Sequence, residues 1–161
     1  MAAKKKKKGD DIGRIAAKNR KARHNYEILE ELEAGICLVG TEIKSLRTGK
    51  ANIIDSYAEI KGNEVFLVNS YIPEYEKSSE YFNHQTRRVR KLLLHKKEIK
   101  KLTGKVLIKG MSLIALDIHF NEKGIAKVKL GLCKGKSKFD KRQTEKDRDW
   151  SRKKNRLIRE G

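Results

Sequence analysis

The 161-residue chain has one proline, two cysteines and one tryptophan, and its acidic residues are outnumbered 40 to 21 by Lys and Arg. Each shortage excludes something. Cys37 and Cys133 have no CxxC partner, and His24, His84, His95 and His119 share no metal-ligand spacing, so neither a structural metal nor a redox motif is expected. Both cysteines lie in apolar runs, Ile36-Cys37-Leu38-Val39 and Leu130-Gly131-Leu132-Cys133, and read as reduced core residues rather than a disulfide. No window approaches the roughly 18 consecutive apolar residues of a membrane span. The N-terminus has no apolar segment of signal-peptide length, so the expected location is the cytoplasm.

Enzyme chemistry is equally short of residues. Gly131-Leu132-Cys133-Lys134-Gly135-Lys136-Ser137 resembles a phosphate-binding loop but has three positions between its glycines where four are needed. Asp55, Asp117 and Glu33 have no second carboxylate at a defined offset. No catalytic residue, cofactor or small-molecule substrate is expected.

What is abundant is positive charge, net +19, and it sits at the ends. Residues 1–26 carry 10 Lys/Arg and 2 Asp, and residues 134–161 carry 12 Lys/Arg and 5 Asp/Glu. The stretch between is close to balance. Charge of this size needs a polyanion, and nucleic acid is the first choice because each neutralised phosphate releases a counterion. An anionic membrane is the second, disfavoured by the low apolar content of both arms.

The border between body and tail falls within residues 126–142. Ala126, Val128, Leu130 and Leu132 alternate with Lys127, Lys129 and Gly131, the period of a strand with one face buried; after Cys133 the chain is almost purely charged. Upstream, Lys4 to Lys8 and Gly9-Asp10-Asp11 read as a disordered arm over 1–18. Asn19 to Tyr26 holds basic groups against a probable strand at 26–36, bent at Gly35. Gly40 to Gly49 reads as a short helix capped by Thr41 and ended by Gly49, with Ile43 and Leu46 one turn apart. Ser56 to Ile60 and Glu64 to Val68 form a hairpin through Lys61-Gly62-Asn63. Pro73 limits the next strand, and 74–87 is a polar loop.

Leu92, Leu93, Ile99 and Leu102 predict a helix over 89–102, stopped by Gly104, whose other face carries Arg87, Arg88, Arg90, Lys91, Lys96, Lys97, Lys100 and Lys101 as phosphate contacts. Leu113 to Phe120 and Ile125 to Cys133 form a second hairpin. The expected fold is mainly β with flanking helices (α+β): an OB-like antiparallel barrel over 19–133 with two or three short helices, and a disordered basic tail over 134–161. In that tail Phe139, Trp150 and Leu157 share one side of a helix, with Ile158 beside them. Asp149 is set to pair with Lys153 and Glu145 with Arg148. Such a helix is marginal alone and is expected to form on a polyanion, where a ring could stack on a base for about 1–3 kcal/mol.

Taken together and in order, several stretches resemble the small protein B family, the tmRNA-binding (SsrA-binding) proteins of bacterial trans-translation. They are Asn19-Arg20-Lys21-Ala22-Arg23-His24 with Tyr26, Glu33-Ala34-Gly35-Ile36, Gly40 to Arg47, Asp55-Ser56-Tyr57, Arg90 to His95, Ala126-Lys127-Val128-Lys129, Gly135-Lys136 and Asp140-Lys141-Arg142. The resemblance implies a barrel that binds the tRNA-like domain of tmRNA, and a tail that becomes helical in the empty mRNA path near the ribosomal decoding centre. Family positions for RNA contact fall on Asn19, Glu33 and Leu93. Arg20, Lys21, Arg23, Lys44, Arg47, Arg90, Lys91, Lys127, Lys129, Lys134 and Lys136 supply the surrounding charge. Lys138, Phe139, Asp140, Lys141 and Arg142 open the decoding-centre segment, continued by Lys146, Arg148 and Trp150. The chain departs from the family's pattern at Gln85-Thr86, where a proline is common, and at His119, where a Tyr is usual. The expected partners are tmRNA and the ribosome, bound by a monomer; the other reading is a general single-strand binder on the same barrel.

Overall fold

A computed structural model of the chain describes residues 13–160. The expected disordered run at Lys4 to Lys8 lies outside them. Seven strands make the body: β1 (Ile15–Lys18), β2 (Tyr26–Ile36), β3 (Tyr57–Lys61), β4 (Glu64–Val68), β5 (Arg90–Leu93), β6 (Met111–Phe120) and β7 (Ala126–Gly135). All pairings are antiparallel, and the pairs β2–β7, β7–β6, β6–β3, β3–β4, β4–β5 and β5–β2 close a ring. The outcome is the six-stranded, OB-like barrel expected, with β1 laid on the second half of β6. Ile15–Lys18 therefore belongs to the folded body rather than to the irregular arm.

Inside the ring Val65, Leu67, Leu92, Leu113, Ile118, Phe120, Val128 and Leu130 are buried. Helix α1 (Ala22–Asn25) covers a second, smaller cluster in which Ala22 meets Ile114, Leu116 and Cys133. That cover explains why β6 is buried along most of its length instead of alternating. Burial pushes the Cys133 thiol up to about 11, helped by the charge of Glu31, as suits an inert core thiol. Cys37, expected in the core as well, is exposed.

Several local expectations are corrected. Helix α2 (Gly40–Leu46) is capped at Val39, whose N–H donates to Glu42 Oε2 at 2.9 Å; Thr41 lies inside the helix and pairs its hydroxyl with His84. The helix expected over 89–102 divides into β5 and α3 (Lys96–Val106). Arg90 and Leu92 point inward and Lys91 and Leu93 outward, a period of two that the pair Leu92-Leu93 hides in the sequence. His95 then caps α3, its N–H donating to Glu98 Oε2 at 2.9 Å, and Gly104 does not stop the helix. In β2 a register shift lies between Ile28 and Glu30.

The tail, expected disordered until bound, is a 23-residue helix, α4 (Lys138–Glu160).

Candidate nucleic-acid interface

Strand register assembles one continuous outer face from five strands. Leu93 on β5 lies opposite Gly35 on β2, Gly35 opposite Lys127 on β7, and Lys127 opposite His119 on β6. Two residues along, on the same side of the pleat, Glu33 lies opposite Lys129, Lys129 opposite Asp117, and Asp117 opposite Lys18 of β1. Leu93 is 53% exposed, and a Cβ added at Gly35 would sit 3.1 Å from its Cβ, so the glycine gives Leu93 its seat on the sheet. Glu33, Leu93, Lys127 and Lys129, singled out separately in the sequence, are thus brought together.

Sequence reasoning missed two members of this face. His119 Nδ1 is 2.7 Å from Asp117 Oδ1, and its Nε2 is 2.9 Å from Glu33 Oε2. The sequence signal was the departure at His119 itself; Asp117 lies two residues away on β6, but the contact with Glu33 joins strands 86 residues apart in the chain.

Next to the face, the turn between β1 and α1 carries Arg20 and Lys21, and the first turn of α1 carries Arg23, all exposed. Asn19, at the root of this turn, is buried: its amide donates to the carbonyls of Ile54 and Ala115 at 3.1 Å and of Ile53 at 3.4 Å, and its Oδ1 accepts the N–H of Ala22 at 3.0 Å. With every polar atom occupied, Asn19 fixes the turn that presents the basic side chains. Arg23 reaches Glu31 at 2.9 Å.

Arg90, expected among the phosphate contacts, is corrected. Its side chain is fully buried, with Nε on Glu42 Oε1 at 2.9 Å and Nη1 on Ser70 O and Oγ and on Arg88 O. Burial works against the carboxylate of Glu42, but hydrogen bonds from Arg88 and Val39 and the charge of Arg90 outweigh it and hold the group below the usual carboxylate range. Burial lowers Arg90 in turn, opposed by Glu42. The remaining basic candidates stand at the surface or near it: Lys91 pairs with Glu64, Lys44 lies 5.5 Å over the Tyr75 ring, and Arg47 5.9 Å over Phe120.

Lys134, one residue before the end of β7, lies opposite Glu27, and Lys136 joins body to tail. The Lys136 N–H donates to Asn25 O at 3.0 Å, and its Nζ reaches Arg23 O at 3.1 Å and Thr144 Oγ1 at 3.4 Å. Ser137 and Asp140 then start α4: Ser137 Oγ donates to Asp140 Oδ2 at 2.7 Å and accepts the Asp140 N–H at 3.2 Å. Glu145 pairs with His24 at 2.9 Å rather than with Arg148, and Asp149 with Arg152 at 3.8 Å rather than with Lys153. Phe139, Trp150, Leu157 and Ile158 are all exposed, as are Lys138, Arg142, Lys146 and Arg148; Lys141 is half-buried.

A groove of about 930 Å³ runs between α3, β3 and the first half of β6, and its aromatic lining is Tyr26 and Tyr57. A stacking platform for successive bases would need more rings. Among the described residues no group of His, Cys, Asp and Glu is placed to hold a metal ion, and no helix is long and apolar enough to cross a membrane.

The model of the SmpB protein family matches residues 16–160. The SsrA-binding protein of Sinorhizobium fredii is 58% identical over 149 residues, covering 92% of this chain and 93% of the relative. That of Paramagnetospirillum magneticum is 57% identical over 148 residues, covering 92% and 96%. Among solved structures, a chain of "tmRNA-SmpB: a journey to the center of the bacterial ribosome" is 56% identical with a TM-score of 0.64, over 75% of this chain and 84% of that one.

Proposed function

The chain belongs to the SmpB protein family, and on that premise we propose how its surfaces divide the work. It is an RNA-binding adaptor that takes tmRNA to ribosomes stalled without a usable codon, where trans-translation tags the incomplete protein. The barrel face of Glu33, Leu93, Lys127 and Lys129, with the basic turn at Arg20, Lys21 and Arg23, binds the tRNA-like domain. Helix α4 lies in the empty mRNA path, with Phe139 and Trp150 available to stack on ribosomal bases. The protein acts as a monomer in the cytoplasm, catalyses nothing itself and needs no cofactor.

The observation that carries this reading is the join at Lys136. One residue ties the body's basic turn to the first turns of a helix whose aromatic and cationic side chains stand in solvent. A folded RNA is recognised by shape, phosphates and splayed bases, which suits a rigid face flanked by cations. Deleting residues 138–161 tests the division. Affinity for the tRNA-like domain stays within about twofold, an effect under 0.5 kcal/mol, while tagging in a reconstituted translation reaction is abolished. Equal loss of both overturns the two-surface reading. Equal binding to the tRNA-like domain, an elongator tRNA and an unstructured RNA, collapsing together as salt rises, makes the protein a general charge-driven binder instead.

A further inference from the structure

We propose that His119 is a positioning residue for RNA recognition, clamping the Glu33 carboxylate from one ring nitrogen while Asp117 anchors the other. The proposal rests on the reading of Glu33 as part of the RNA-binding face.

The problem it solves is electrostatic. A carboxylate on a face built to attract phosphate repels phosphate, so Glu33 is useful only toward hydrogen-bond donors of the RNA, a base amino or imino group or a 2′-hydroxyl. It also stands opposite Lys129, with Lys127 two pairs further on, on the same face. A free glutamate side chain there can swing to either ammonium group and lose its aim. His119 removes that freedom by holding Oε2 at 2.9 Å, which leaves Oε1 for the RNA. The ring cannot turn away, because Asp117 holds Nδ1 at 2.7 Å and Asp117 is itself 9% exposed. A carboxylate–imidazole–carboxylate chain fixes a ring's direction in the way outer partners fix a ligating histidine.

The chain has a proton requirement. Ionised carboxylates only accept hydrogen bonds, so both contacts exist together only while both ring nitrogens carry a proton. The charged groups around the ring are Glu33 on β2, Asp117 on β6, Lys127 and Lys129 on β7, and Lys18 on β1 opposite Asp117.

The test is a double-mutant cycle on the full chain with His119→Phe, Glu33→Gln and both. Binding to the tRNA-like domain of tmRNA and to an unstructured RNA of equal length is measured for each. His119→Phe weakens tRNA-like domain binding roughly tenfold, the order of one charged hydrogen bond, and leaves the unstructured RNA unchanged. In the Glu33→Gln background the same substitution adds nothing. If the two losses add, or if His119→Phe weakens both RNAs alike, the clamp is overturned while the RNA face stands. If Glu33→Gln binds like the parent, the reading of the face fails and the proposal with it. Should His119→Phe not fold, His119→Leu, which has no hydrogen-bond donor, is put through the same cycle with the same criteria.

Discussion

Arg90 Nε donates to Glu42 Oε1 across 2.9 Å with neither side chain exposed to solvent. The pair ties β5 to α2, and the half-exposed Arg88 closes on the other oxygen of Glu42 at 2.8 Å. Removing one partner strands a buried charge, so Arg90→Ala is expected to lower stability by about 3–5 kcal/mol. Urea unfolding followed by circular dichroism measures it. A loss under about 1 kcal/mol, the size of a surface ion pair, would mean that water reaches the site.

Asn19 yields a second prediction of the same kind with a direction built in. Asn19→Ala loses the acceptor of the Ala22 N–H and the amide's three carbonyl partners, for about 1–3 kcal/mol. Asn19→Asp keeps that acceptor but sets a carboxylate against those carbonyls, so it is the more damaging of the two. If Asn19→Asp is instead as stable as the parent and only RNA binding falls, Asn19 meets the RNA directly and its burial is incidental.

These two residues also mark what the sequence could and could not convey. Alternation at Ala126 to Leu132, the hairpin at Lys61-Gly62-Asn63 and the turn at Asn121 to Gly124 are local signals, and the barrel followed from them. Glu33 and Leu93 were legible as separate motifs. Arg90 was not: a basic residue in a basic run reads as surface until Glu42, 48 residues away, is seen beneath it. His119 and Glu33 are 86 residues apart, so no spacing rule joins them. Exposed Tyr81 and Phe82 went unforeseen, because nothing local tells an aromatic on a loop tip from one in a core.

Glu30 supplies the pH dependence. It accepts hydrogen bonds from Lys101, at 2.7 Å, and Lys105 of α3, which pull its carboxyl from 4.5 down to about 2. A group whose folded pKa is depressed stabilises the fold above its unfolded value and loses that contribution as pH falls toward the folded one. The parent should therefore lose stability between about pH 4.5 and 2 more steeply than Glu30→Gln. The pair is near the surface, so added salt flattens the difference. Urea midpoints at stepped pH compare the two, and parallel curves would show that the lysines do not hold Glu30 in solution.

The start of α4 is the last place where one substitution separates local structure from binding. Ser137 and Asp140 share their hydrogen bonds: Ser137 Oγ serves Asp140 Oδ2 and the Asp140 N–H, and Asp140 Oδ2 also accepts the Ser137 N–H at 3.3 Å. Ser137→Ala removes the cap and Asp140→Ala removes both the reciprocal bond and the negative charge that favours a helix N-terminus, each for about 1 kcal/mol of helix stability. Because the two residues act as one unit, the double variant loses little more than either single one. Amide exchange at Lys141 to Glu145 measures the fraying, and the Lys141 N–H, bonded to Ser137 O at 3.1 Å, is the first to lose protection. With tRNA-like domain affinity unchanged and tagging reduced in proportion to the exchange, the preformed helix start is what the ribosome uses. Unchanged tagging in a fully frayed variant would mean that the mRNA path folds α4 by itself.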